Sequence, residues 1–96
     1  MDNNITAAVG YLINTVLRNG NDSGVVALNR GTLTVMMSRR THIITILANM
    51  TADEFYSVIQ SVTDKLHVQG AIIGDIRFIN GNAISNCQGI EIIYVE

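Results

Sequence analysis

The sequence predicts an α+β fold: one antiparallel sheet of about five or six strands with two helices on one face, in the order α-β-β-β-α-β-β-β. Three observations predict it. Two segments carry apolar residues at helical spacing, the other apolar residues fall in short β-branched runs, and turn residues separate those runs closely enough to make them antiparallel neighbours. The 96 residues are read as one domain, 1–96, because that length leaves no room for a second core.

The first helix is predicted from Ile5, Ala8, Val9, Leu12, Ile13, Val16 and Leu17, which share one face. Asn3 or Asn4 can cap its start and Asp2 suits the positive end of its dipole. Gly20 is a natural stop, with Arg18 in the last turn. A polar loop, 19–24, follows. It resembles the first half of a calcium loop but lacks the leading Asp, and Arg30 stands where the bidentate Glu belongs, so it is read as a plain turn.

Three strands are expected next. Val25 to Leu28 is short and apolar, Asn29-Arg30-Gly31 is a turn signal, and Thr32 to Met37 alternates as a strand with one buried face. Ser38-Arg39-Arg40 breaks that pattern, and Thr41 to Leu47 is β-branched almost throughout.

The second helix carries the clearest local signals. Thr51-x-x-Glu54 is a capping box, and Met50 and Phe55 occupy the two positions of a hydrophobic staple. Phe55, Val58, Ile59, Val62 and Leu66 then trace an apolar stripe, with Val58, Ile59 and Val62 expected to be buried. Gly70 closes the helix, and Lys65 and His67 lie near its C-terminal end, where positive charge is favoured. Beyond it, Ile72 to Ile79 leads into Asn80-Gly81, a type I′ hairpin signal. Asn82 to Ser85 returns, 86–89 turns again, and Ile90 to Val95 forms the last strand.

A sheet with both helices on one face should read polar at alternate positions on the other. Here it does so only in part. Ile43, Ile44, Ile46 and Leu47 are apolar in both phases, as are Ile72 and Ile73, and Ile90 and Ile92 to Val95. No third layer remains in so short a chain, so the expected cover is a second copy; closure of the strands into a partial barrel is the alternative. A charged fraction of only 15% offers little repulsion between copies. The expected interface contains part of the set Ile44, Ile46, Ile93 and Val95.

Net charge is −2, with one lysine and five arginines, which counts against general nucleic-acid binding and attraction to an anionic membrane. The apolar runs are far shorter than a membrane span. The first twenty residues lack the basic region and cleavage site of a secretory signal, and the three Asn-x-Ser/Thr sequons at Asn4, Asn21 and Asn49 read as chance, so the expected compartment is the cytoplasm.

The densest group of hydrogen-bond donors is Ser38-Arg39-Arg40-Thr41-His42. Arg39, Arg40, Thr41 and His42 on one turn could hold a phosphate or carboxylate; the plainer reading is a solvated hairpin tip. His42, His67, Cys87, Asp64 and Asp75 include the raw material of a catalytic pair, but no spacing ties them together, and Cys87 lacks a basic neighbour. No catalytic residue, metal site or cofactor is therefore assigned. The expected function is a non-enzymatic binding protein acting as a homo-oligomer, of the kind common among accessory and phage-borne inhibitor-type proteins, that recognises a protein partner or a small anionic ligand. The alternatives are a nucleic-acid-binding module using the sheet with Arg39 and Arg40, and an enzyme with a site across a subunit interface.

Overall fold

In the computed structural model, which describes residues 4–19, 22–28, 31–80 and 87–96, helix α1 spans Ile5–Asn19 and helix α2 spans Ala52–Val68. The strands are β1 (Ser23–Leu28), β2 (Gly31–Ser38), β3 (Ile43–Met50), β4 (Ile72–Ile79) and β5 (Cys87–Val95). They form one antiparallel sheet in the order β1-β2-β3-β5-β4. The fold is α+β, as the sequence predicts. Among the described residues β1 and β4 are the edges of the sheet, and these five strands do not close into a barrel.

Helix α1 starts where Asn4 accepts the Ala7 N–H on its side-chain oxygen, at 3.1 Å. Its stripe, Ile5, Val9, Leu12, Ile13 and Val16, is buried. At Thr51 both halves of the capping box are present: the Glu54 N–H donates to Thr51 Oγ1 and the Thr51 N–H donates to Glu54 Oε1. Helix α2 ends in a Schellman turn. The Ala71 N–H reaches back to the Leu66 carbonyl and the Gly70 N–H to that of His67, with Gly70 at φ 80°. The buried stripe of α2 is Phe55, Val58, Val62 and Leu66. Ile59, expected among them, is only half-buried against the edge of the core, one position off the stripe. The two helices cross closely at Gly10, where an added Cβ would stand 3.0 Å from Lys65 Cε.

The core lies between these helices and one face of the sheet. Leu33, Val35, Met37, Ile44, Ile46, Ile90, Ile92 and Tyr94 point into it, and Phe55 meets Phe78 edge to face with centroids 5.3 Å apart. The chain exposes 5500 Å² in all, against roughly 5,400 Å² from mass scaling for a folded monomer.

One expectation for the last third changes. The segment 87–89, read as part of a turn, is the beginning of β5. Gly89 sits opposite Leu47 and Ile79, and a Cβ there would come 2.5 Å from the Ile46 carbonyl oxygen. Glycine serves here for close approach of two backbones rather than for a turn. The first half of the hairpin signal survives in Asn80, at φ 57°. Gly81, the predicted return strand Asn82 to Ser85, and Asn86 lie outside the described residues, as do Asp2, Gly20, Asn29 and Arg30.

Candidate functional site

The strand alternation that buries one face presents the other. Cross-strand register places Val25, Thr34 and Leu47 in one row, Met36, Thr45, Glu91 and Arg77 in the next, and Ile43, Ile93 and Asp75 beyond them. Val95 and Ile72 complete the face at the end of β5 and β4. Neither described helix covers this side. Val25 and Ile72 are each 62% exposed, Val95 51% and Met36 38%, while Ile43, Leu47 and Ile93 are half-buried by their neighbours. The charges of the sheet are confined to one flank: Arg77 lies 3.8 Å from Asp75 and 3.6 Å from Glu91. No charged residue stands in β1, β2 or β3. A shallow groove of about 510 Å³ is lined by Met36, Ile43, Thr45, Asp22 and Glu91 among others. The two charged residues that line it, Asp22 and Glu91, are both acidic.

The four predicted interface residues divide between the two faces. Ile93 and Val95 belong to the open face. Ile44 and Ile46, at 1% and 0% exposure, are core residues beneath the helices and are removed from any interface. The β2–β3 register explains the split: Ile44 pairs with Met37 and Ile46 with Val35, both inward-facing.

The hairpin Ser38–His42 is more occupied than a free anion site would be. An Arg39 Nη2 hydrogen donates to the Val16 carbonyl at 2.9 Å, so this guanidinium serves the C-terminal end of α1, where the helix exposes carbonyls and partial negative charge. Thr41 donates from both its N–H and its hydroxyl to Ser38 Oγ. His42 takes φ 57°, stacks on Tyr94 with centroids 4.9 Å apart, and places Nε2 3.1 Å from Glu96 Oε1. Its carbonyl accepts the Tyr94 N–H. Arg40 is exposed and makes no ion pair among the described residues. The predicted tetrad is therefore brought together in sequence and in space, but three of its members serve the fold.

Between this hairpin and the end of α2 lies a small cleft of about 160 Å³, lined by Arg39, Leu66, Gln69, Tyr94 and Glu96 among others. A cleft below about 300 Å³ is small for an organic ligand. Burial raises the Tyr94 phenol above its ordinary 10.0; Glu96 pushes the same way and Arg39 opposes them. Tyr94 and Glu96 carry no signal of this role in the sequence, because only the β3–β5 register brings them to His42. Among the described residues, no three His, Cys, Asp or Glu side chains gather as a metal site would require. Nor, among the described residues, is any helix long and apolar enough to cross a membrane.

In comparison with known proteins, the chain matches no family model, no characterised protein and no solved structure.

Proposed function

We propose that this chain is a non-enzymatic interaction protein that works as a homo-oligomer, with a second copy closing the open face of its sheet. One observation carries the reading: each of the five strands sets an apolar side chain, Val25, Met36, Ile43, Ile93 and Ile72 among them, between polar ones on a face that neither described helix covers. Single exposed apolar residues are ordinary, but apolar residues gathered on one uncovered sheet face mark binding surfaces. Self-association fits better than a strongly charged partner, because β1, β2 and β3 carry no charge and on β4 and β5 Arg77 stands between Asp75 and Glu91, leaving a single net negative charge. Recognition of an external protein by the assembled oligomer is part of the same proposal. A small anion at Arg39 to His42 is the weaker reading, since Arg39 already holds the end of α1 and Glu96 stands beside His42.

Sedimentation at micromolar concentration tests it. The expected species is a multiple of the 10.5 kDa chain. Ile93→Asp sets a charge among these apolar residues, beside Asp75, and should lower that mass or the solubility while helical circular dichroism is retained. A clean 10.5 kDa species for the unmodified chain would overturn the proposal.

A further inference from the structure

The two edges of the sheet are protected very differently. At β4 the register slips at Gly74, between Ile73 and Asp75, and the Asp75 carboxylate accepts the Ile76 N–H at 2.9 Å. Asp75 and Arg77 add charge along the same edge. A bulge, a captured main-chain donor and charged side chains are the usual means of blocking strand addition. Among the described residues, the opposite edge has none of them. β1, Ser-Gly-Val-Val-Ala-Leu, is regular over all its pairs with β2, contains no charge and no proline, and adjoins two further strands without charge.

The direction of its main-chain groups follows from one hydrogen bond. The Met37 N–H donates to the Asp22 carbonyl at 2.8 Å, which makes Asp22 and Met37 a hydrogen-bonded pair. Antiparallel pairs alternate between bonded and non-bonded. Continuing the register, Gly24, Val26 and Leu28 turn their N–H and C=O toward β2, and Ser23, Val25 and Ala27 turn theirs to the outer edge. The same three residues carry their side chains on the open face.

We propose that β1 is a second self-association surface, at which two copies pair β1 to β1 antiparallel about a two-fold axis through Val25 and extend the sheet from five strands to ten. With the axis at Val25, each Ser23 faces an Ala27 and Val25 faces its own copy. All three pairs fall between outward-directed main-chain groups, so each exchanges two hydrogen bonds. The axis must pass through a residue rather than between two, because paired residues share a face of the sheet. Placing it at Val26 instead would align fewer outward groups within β1. The occupant is a second copy because β1 suits itself: a residue on a two-fold axis meets its own charge, and here none exists. Small side chains at Ser23 and Ala27 also oppose each other without crowding. This contact is separate from the open face, and both apolar faces of the ten-stranded sheet lie on the same side. Two such sheets packed face to face would form a closed tetramer.

The two contacts can be cut separately. Val25→Pro removes an N–H that β2 does not use, so the internal ladder is kept. Ala27→Lys puts a charge on the same edge at an exposed position and checks that any effect is not a folding defect. In the Ile93→Asp background, which addresses only the open face, sedimentation should still give twice the mass of one chain. Adding Val25→Pro or Ala27→Lys should then give single chains with unchanged circular dichroism. Amide exchange adds a direct reading: the N–H groups of Ser23, Val25 and Ala27 should be protected in the pair and exchange at least tenfold faster in the Ala27→Lys variant, with Gly24, Val26 and Leu28 protected in both. Edge pairing is overturned if these three amides exchange freely in the unmodified protein, or if Ala27→Lys leaves the mass of the Ile93→Asp chain unchanged at two copies. The open-face reading fails on a different result, an Ile93→Asp chain of the same mass as the unmodified protein.

Discussion

On β3 and β5 the two faces of the sheet both carry large apolar residues yet serve opposite ends. On β3, Ile44 and Ile46 point under the helices and are fully buried; their neighbours Ile43 and Leu47 point the other way and are half-covered only by adjacent strands. On β5, Ile92 is core and Ile93 is surface. The difference teaches that hydrophobicity alone does not make a core in this protein. What makes one is the supply of a second layer, and two amphipathic helices supply it to one side.

Neighbouring substitutions should break or sharpen that contrast, and the largest effect is expected at Ile46. Ile46→Ala opens a cavity beneath α1 and α2 and should cost roughly 2–5 kcal/mol, while Leu47→Ala should cost markedly less and instead weaken self-association. Urea unfolding at matched low concentration would show both; equal losses would mean the two faces are equally covered. A smaller effect is expected where the covering layer is fastened. Arg39→Ala leaves the Val16 carbonyl without its charged donor and should cost about 1–3 kcal/mol. Faster amide exchange in the last turn of α1, with α2 unaffected, would locate the loss; a uniform change along both helices would contradict it.

The smallest effect is confined to alkaline solution. Tyr94 points to the helix face, and its raised pKa means that the folded chain holds the phenolic proton more tightly than the unfolded chain. Its contribution is therefore complete below about pH 10 and is lost as pH rises through the folded value. Denaturation midpoints from pH 8 to pH 11 should fall more steeply for the wild type than for Tyr94→Phe. Identical slopes would place the phenol in water in both states.

Much of the fold is legible because its signals are local. Thr51, Glu54, Met50 and Phe55 lie within a few residues of each other, and Gly70 follows the last turn directly, so α2 can be located from the chain alone. β4 is legible for a similar reason, as an apolar run between turn residues. The start of β5 is not, because Gly89 looks like a turn until the Ile46 carbonyl is found against it. The candidate site divides the same way. That Arg39, Arg40, Thr41 and His42 share a hairpin can be read from Ser38-Arg-Arg; that Arg39 serves α1 and His42 lies against Tyr94 and Glu96 cannot.

By itself the sequence determined the class, the two helices with the N-terminal cap of each and the Gly70 stop of α2, the existence of β1 to β4, and an excess of apolar strand surface over the two helices available to cover it; the third strand, read as Thr41 to Leu47, runs Ile43–Met50. Each depends on side chains within about four residues of one another, where spacing alone decides what can touch. Only the tertiary structure decided the order β1-β2-β3-β5-β4, which phase of each strand is core, and which edge is left without protection. Those follow from pairings such as Ile44 with Ile92 and Arg39 with Val16. In β3 and β5, a period of two with apolar residues at both positions leaves either face free to be the core until the helices settle on one.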